Sequence, residues 1–429
     1  MASLRYALRK LAQQPLFAVL AISTLGIGIG LVTTCFSAVN TLLFRPLPGV
    51  AESDRIVLLH ETHPNPQTGE TWVMGFNTLD AQSAVEGAPA LADLWLFTEL
   101  TVIMEGERTP FRYLGANIST HAFDAMGVAP LLGRNFTAAD DLPDAPVVAL
   151  ISHRAWQERF NARPEAVGTT LELNGVSTEI IGVMPPRWRY PSTNDVWMPL
   201  SAHTGEKMLG TRGGFYLTAH GKLAPGATLP EAQDQLDRTA RTLAAAYPET
   251  NTGVGFKIDS WRSSSDREAI YFTVLLFAAG FAIFLIACAN VANLQLSRGS
   301  SRAPEIAVRL ALGATRAQIF RQLLVENIVL GLLGAAAGAL VSLWGVDLVL
   351  ASSVVEHPFW FILDPDWRVF VFLTACGLLS SLIFGVLPAW RDSKPDLITA
   401  MKEGSRTGLD QGPYGMRLRS AIVVGEIAL

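Results

Sequence analysis

Four long apolar runs constrain this chain more than anything else in it: Leu16 to Val39, Ile270 to Leu294, Leu323 to Leu350 and Val369 to Trp390. Each is at least as long as the roughly 20 residues a helix needs to cross about 30 Å of hydrocarbon. The first stands at the start and the other three near the end, with more than 200 mostly polar residues between the first and second. This order implies an α-helical membrane protein with four transmembrane helices in a 1+3 arrangement and a large α+β domain inserted between helices one and two. Half the residues are apolar and 17% are charged, too hydrophobic a balance for an ordinary pair of soluble domains.

Positive charge sets the orientation. Arg5, Arg9 and Lys10 precede the first run, Arg298, Arg302, Arg309, Arg316 and Arg321 surround the link between the second and third, and Arg391, Lys394, Lys402, Arg406, Arg417 and Arg419 follow the fourth. Basic flanks stay on the cytoplasmic side, so the N-terminus and tail are expected inside and the large domain outside. From Arg45 to Glu268 there are 27 acidic against 18 basic residues, and an acidic outer domain argues against nucleic acid as a partner. Cys35, Cys288 and Cys376 all fall inside apolar runs, so the outer domain must rest on an ordinary core without disulfides. The first run is longer than the apolar part of a signal peptide and closes on no small-residue cleavage pattern, as expected of an uncleaved helix.

The expected layout is a cytoplasmic lead-in (1–15), helix one (16–44), the outer domain (45–268, with 116–200 as an inserted subdomain) and helix two (269–297). A cytoplasmic coupling segment (298–322), helix three (323–350), a short outer loop (351–367), helix four (368–390) and a cytoplasmic tail (391–419) follow. Residues 420–429 begin a further apolar stretch too short to span. Within the outer domain, Asp54 to Glu61, Leu94 to Met104 and Phe111 to Ile118 read as strands and Asn77 to Val85 as a short helix. Asn174-Gly175 marks a hairpin turn, because both residues tolerate positive φ. Thr228-Leu229-Pro230-Glu231 opens a helix reaching about Ala246 with a capping threonine, an early proline and a glutamate three residues on.

The link between the second and third runs is the most informative short stretch. Pro304 reads as lying near a helix start, Glu305 and Arg309 stand i,i+4 in the favourable order, and Gly313 supplies a left-handed stop. Thr315-Arg316-Ala317-Gln318 is a capping box opening the next helix. An exposed pair such as Glu305 and Arg309 is worth only about 0.3 to 0.5 kcal/mol, so on this reading it matters little to stability.

Other patterns point to packing rather than chemistry. No Gly-x-x-x-x-Gly-Lys-Ser/Thr phosphate loop occurs, so the chain is expected to bind no ATP in that manner and to need no cofactor. His60-Glu61-Thr62-His63 has the wrong spacing for a helical zinc motif. Gly26, Gly28 and Gly30 sit inside a bilayer-length apolar run, and together with Gly334 and Gly338 they fit close helix packing. Asn290 and Asn293, one turn apart, are expected to find hydrogen bonds across helices, and Glu326 and Asp347 to reach interfacial water. No catalytic residue or metal site emerges.

The stretch IACANVANLQLSRGSSRAPEIAVRLALGATRAQIFRQLLVENIVL resembles the FtsX-like permease domain of MacB-type ABC transporters. LRYALRKLAQQPLFAVLAISTLGIGIG followed by FSAVNTLLFRPLP resembles the matching N-terminal segment, and FDAMGVAPLLGRNF, LNGVSTEIIGVMPP and KLAPGATLPEAQDQL resemble the family's periplasmic core domain. The flavour is that of the duplicated orphan permeases described from acidobacteria, so the chain is expected to be a first half of such a protein. The resemblance implies a non-enzymatic permease subunit in a bacterial inner membrane, working by mechanotransmission. A separate ABC ATPase would bind inside and move the periplasmic domain, with Glu305, Arg309, Gly313 and Arg316 as coupling residues. Implied partners are that ATPase, a second permease unit (a homodimer mate or the second half of one polypeptide), a periplasmic adaptor and the bilayer. The competing readings are an envelope scaffold or regulator acting without an ATPase, and a stalked hydrolase, which lacks a nucleophile, base or metal set.

Overall fold

The computed structural model describes residues 2–65, 70–105, 110–142, 144–204, 210–212, 216–261, 267–352 and 356–392. From residue 393 onward, the expected tail and apolar end lie outside the described residues. The chain divides into a helical unit (Met1–Phe44, Glu268–Val354, Leu363–Leu429) and a sheet unit (Arg45–Arg267, Val355–Ile362).

In chain order, α1 (Ala2–Ala12) and α2 (Pro15–Leu43) open the helical unit. The sheet unit supplies β1 (Ile56–Pro64), β2 (Thr71–Met74), α3 (Thr78–Gly87), β3 (Leu91–Met104), β4 (Phe111–Ile118), β5 (Leu132–Gly133) and β6 (Val148–Ile151). It continues with α4 (His153–Phe160), β7 (Thr170–Leu173), β8 (Val176–Val183), β9 (Val196–Pro199), β10 (Thr218–Leu223), α5 (Leu229–Ala246) and β11 (Gly255–Ser260). The helical unit resumes as α6 (Arg267–Ala311), α7 (Arg316–Ser352) and α8 (Trp367–Asp392).

Local chemistry explains where these elements begin. Asn77, Ser152 and Thr228 cap α3, α4 and α5 by accepting from the backbone N–H three residues on, satisfying donors that a helix start leaves unpaired. Asn174 and Gly175 turn β7 into β8 with φ of 50° and 76°. The strands form one mixed sheet in the order β11-β1-β10-β3-β4-β9-β6-β8-β5, with β2 on β1 and β7 on β3 and β8. The 116–200 stretch joins this sheet through a parallel β4–β9 ladder from Gly115↔Val196 to Ile118↔Pro199.

Alternation along the strands divides the core by face. Leu59, Leu94, Leu96 and Ala219 meet the apolar stripe of α5 at Leu236, Ala240 and Leu243. Val102, Met104, Ile180 and Val196 pack with Ala155 of α4. Each fully buried leucine or valine contributes about 1.5 to 3 kcal/mol, so these clusters give the cysteine-free unit its core.

In the helical unit, Pro15–Leu43, Ile270–Arg298 and Arg316–Ala351 are long and apolar enough to cross a membrane, and Trp367–Ile383 is a shorter apolar helix. Leu25 and Ile29 of α2, Phe284 and Cys288 of α6, Leu330 of α7 and Cys376 of α8 share one buried cluster. The link corrects the expectation for Pro304. It starts no helix, since α6 runs unbroken from Arg267 to Ala311. A proline inside a helix forfeits one backbone hydrogen bond, a local loss that the other turns of a helix 45 residues long outlast.

Candidate functional site

The junction between α6 and α7 is built by two reciprocal end structures. Gly313, at φ 94°, donates to Leu310 O, and Ala314 donates to Arg309 O, each at 3.0 Å. This pair of bonds is a Schellman motif, and its left-handed position favours glycine. Two residues on, Thr315 N donates to Gln318 Oε1 at 2.9 Å and Gln318 N to Thr315 Oγ1 at 3.3 Å, a complete capping box. Ile306, Ile319 and Leu323 close the hairpin with a small buried cluster.

On one side of this hairpin, charge is consumed internally. Arg309 donates to Glu305 Oε1 at 2.5 Å, to Tyr6 Oη at 2.6 Å and to Gln322 Oε1 at 3.2 Å. Tyr6 Oη lies 3.2 Å from Glu305 Oε1 and Lys10 Nζ lies 3.2 Å from Oε2. Burial alone would raise the Glu305 pKa, but the hydrogen bond and charge of Lys10 and the charge of Arg309 hold it below the usual carboxylate range. The i,i+4 pair is therefore part of a cluster tying α1 to the junction, which corrects the reading of it as an isolated surface pair. Glu326 likewise does not reach interfacial water: it is buried, with an oxygen 4.0 Å from Lys10 Nζ.

On the adjoining face of α6, about 60° around the helix, the tip is open. Leu312 is 83% exposed and Val308 is exposed beside it, with Arg316 and Arg321 exposed at the start of α7. An apolar knob with basic neighbours can bury itself in a partner's groove while the arginines meet acidic groups on its rim. The sequence reading named the charges and missed Leu312, because only the turn at Gly313 decides which side of the helix end faces outward.

The glycines set how close the helices come. A Cβ on Gly26 would lie 2.8 Å from Ala337 Cβ, on Gly30 2.6 Å from Val341 Cβ, and on Gly28 2.7 Å from Ala287 Cβ. Gly26 and Gly30 thus face α7 and Gly28 faces α6. Gly334 and Gly338 answer from α7, where a Cβ would sit 2.8 Å from Leu25 Cβ and 2.9 Å from Ile29 Cγ2. The asparagines differ from expectation. Asn290 is exposed on the helical unit, and among the described residues Asn293 Oδ1 has no partner. The amide bond across helices is instead Gln295 Nε2 to Asn327 Oδ1 at 2.9 Å, in agreement with a preference for polar side chains to pair at helix contacts.

Two charged clusters in the sheet unit, one buried around Glu61 and one half-buried around Asp195, escaped the sequence reading. On β1, whose side chains alternate, Glu61 and His63 share one face and His60 the other. Glu61 Oε1 accepts from Asn77 N at 3.1 Å and Asn77 Nδ2 at 3.2 Å, and Oε2 lies 2.9 Å from His63 Nε2. Burial and the neighbouring Asp80 push the Glu61 pKa to about 8, while Arg212 and Asn251 bind Asp80. The second cluster joins Arg154, Arg189, Asp195 and Glu356.

The geometry defines a protein with helices long and apolar enough to cross a membrane, a large sheet domain carried between the first two of them and a helical hairpin between the next two. Comparison with known proteins agrees: the MacB-like periplasmic core domain matches residues 18–239 and the FtsX-like permease C-terminal domain residues 277–396. The chain belongs to the MacB-like family of ABC-type permeases. It is 24% identical over 355 residues to the pyoverdine export ATP-binding/permease protein PvdT of Pseudomonas syringae pv. syringae (strain B728a), covering 81% of this chain and 50% of that protein. It is 23% identical over 348 residues to the macrolide export ATP-binding/permease protein MacB of Burkholderia pseudomallei (strain K96243), covering 79% and 51%. The chain thus spans about half the length of the curated relatives it matches. The periplasmic region of MacB from Actinobacillus actinomycetemcomitans matches 52% of this chain and 94% of its own, at 16% identity and a TM-score of 0.38.

Proposed function

We propose that this chain is the permease unit of an export-type ABC system, in which a separate ATPase docks on the α6–α7 tip and its nucleotide cycle moves the periplasmic domain. The exposed Leu312 at the end of a hairpin fixed by a Schellman motif and a capping box supports this most directly. A rigid tip passes a push onward instead of absorbing it. Glu305 and Arg309 hold the tip to α1, while Val308, Leu312 and Arg316 touch the partner. A second permease unit completes the assembly, and its cargo is moved by the periplasmic domain and an adaptor without crossing this chain. Leu312→Asp should strip bound ATP hydrolysis from the tagged chain purified out of native membranes by at least about ten-fold, the scale of losing one central apolar anchor. Retention of full hydrolysis would overturn the docking site.

The same reading places four spans in the inner membrane with the N-terminus inside, supported by the basic flanks of α2, α6 and α7. Ser177 is exposed on the sheet unit, and Ser177→Cys should react with a membrane-impermeant thiol reagent in intact spheroplasts. Leu312→Cys should react only after lysis. The reverse pattern would invert the topology.

A further inference from the structure

The connection between α7 and α8 is short, yet its middle belongs to the other unit: Val355–Ile362 folds with Arg45–Arg267. Hydrogen bonds and a buried ring hold it. Phe359 N donates to Ser192 O at 2.8 Å, and Arg45 Nη1 donates to Ile362 O at 2.7 Å. The Phe359 ring, 8% exposed, enters the aromatic core with its centroid 5.1 Å from that of Trp188 and 6.2 Å from that of Tyr190.

The charges show that this seat is built for the loop. Asp195 is fully buried and takes Arg154 at 2.5 Å and Arg189 at 2.8 Å. Two guanidiniums converge on this one carboxylate, and a farther acidic neighbour, Glu158, stands 3.9 Å from Arg154 Nε, beyond hydrogen-bond distance. Glu356 supplies the second carboxylate, 2.9 Å from Arg154 Nη1 and 2.9 Å from Arg189 Nη2. Its pKa, which burial would raise, is held below the usual range by the Arg189 hydrogen bond and the charges of both arginines. A free loop would carry Phe359 into water and take from each arginine a carboxylate at 2.9 Å.

We propose that this loop is a permanent anchor, so that the sheet domain follows α7 and α8 as well as α2 and α6. The anchor does not depend on an ATPase, and its test needs none. In the full chain in detergent, the residue 359 amide should exchange at least roughly ten-fold more slowly in the parent than in Glu356→Gln or Phe359→Ala, because its hydrogen bond opens only when the loop leaves. Spin labels at Ser177→Cys and Leu348→Cys should give a narrower distance distribution in the parent than in either loop variant. Circular dichroism of each variant checks that the sheet domain remains folded. Equal exchange, or equal widths in parent and variants, would overturn the anchor. Absence of any nucleotide effect on these distances would count against the docking proposal and leave the anchor standing.

Discussion

Replacing Arg309 by glutamate is expected to destabilise the helical unit by about 2 to 3 kcal/mol, well beyond the effect of an exposed i,i+4 pair. In the parent, one guanidinium serves Glu305, Tyr6 and Gln322 together. In the variant a carboxylate stands there instead, facing Glu305 one turn away, with Tyr6 and Gln322 deprived of a charged donor. Like charges at this spacing repel, and losing a charged hydrogen-bond partner costs about 1.5 to 3 kcal/mol. The unfolding midpoint in detergent should fall, and α1 should become accessible to protease. Arg309→Lys, which keeps the charge but not the forked donor set, should fall in between. An unchanged midpoint for Arg309→Glu would show that the cluster contributes no more than a surface pair. Because this variant is expected to loosen its own fold, loss of partner binding in it says little about docking. Leu312→Asp, on the exposed side of the same hairpin, is the cleaner probe.

What could be read in the sequence was local. Apolar run length identified the long helices, Asn174-Gly175 gave the hairpin, and Gly313 with Thr315 and Gln318 gave the turn between α6 and α7. Each signal lies within a few residues of its effect. The partners of Glu305 show where this stops: Arg309 is four residues away and was legible, whereas Tyr6 and Lys10 are about 300 residues away. Nothing in a charge pattern pairs residues across such a distance. Glu356 lies in the short stretch 351–367, and its seat between Arg154 and Arg189 follows only from the sheet that brings β6 and β9 together. Pro304 failed for the opposite reason. Its local preference for a helix start was overridden by the long helix on both sides.

Raising the pH from about 6.5 to 8 is expected to cost the sheet domain about 2 kcal/mol through Glu61, and Glu61→Gln should abolish that contribution. Glu61 is 1% exposed, and Arg212, the nearest cation in its cluster, is engaged with Asp80. The folded state therefore keeps a proton on Glu61 up to a pKa of about 8, against 4.5 for an ordinary glutamate. A group whose pKa is raised on folding contributes stability that is complete below the unfolded value and is lost as pH rises through the folded one. His63 works the other way, since burial lowers its pKa from 6.5, and its opposing effect fades as pH rises above that value. His60 and His220, whose pKa values burial also lowers, and His121, whose pKa the Asp93 hydrogen bond raises, titrate in the same way in parent and variant, so the difference between the two isolates the carboxyl group. With a proton on Oε2, Glu61 can donate to a neutral His63 Nε2, 2.9 Å away. Glutamine fits the same seat: its carbonyl still accepts from Asn77, and its amide N–H donates to His63, with no proton to lose. Denaturant unfolding of the full chain, followed by tryptophan fluorescence at four pH values across the window, should give a line that falls more steeply for the parent than for Glu61→Gln. Parallel lines would mean that Glu61 is already ionised in the fold, and that its cluster holds two negative charges on the strength of Arg212 alone.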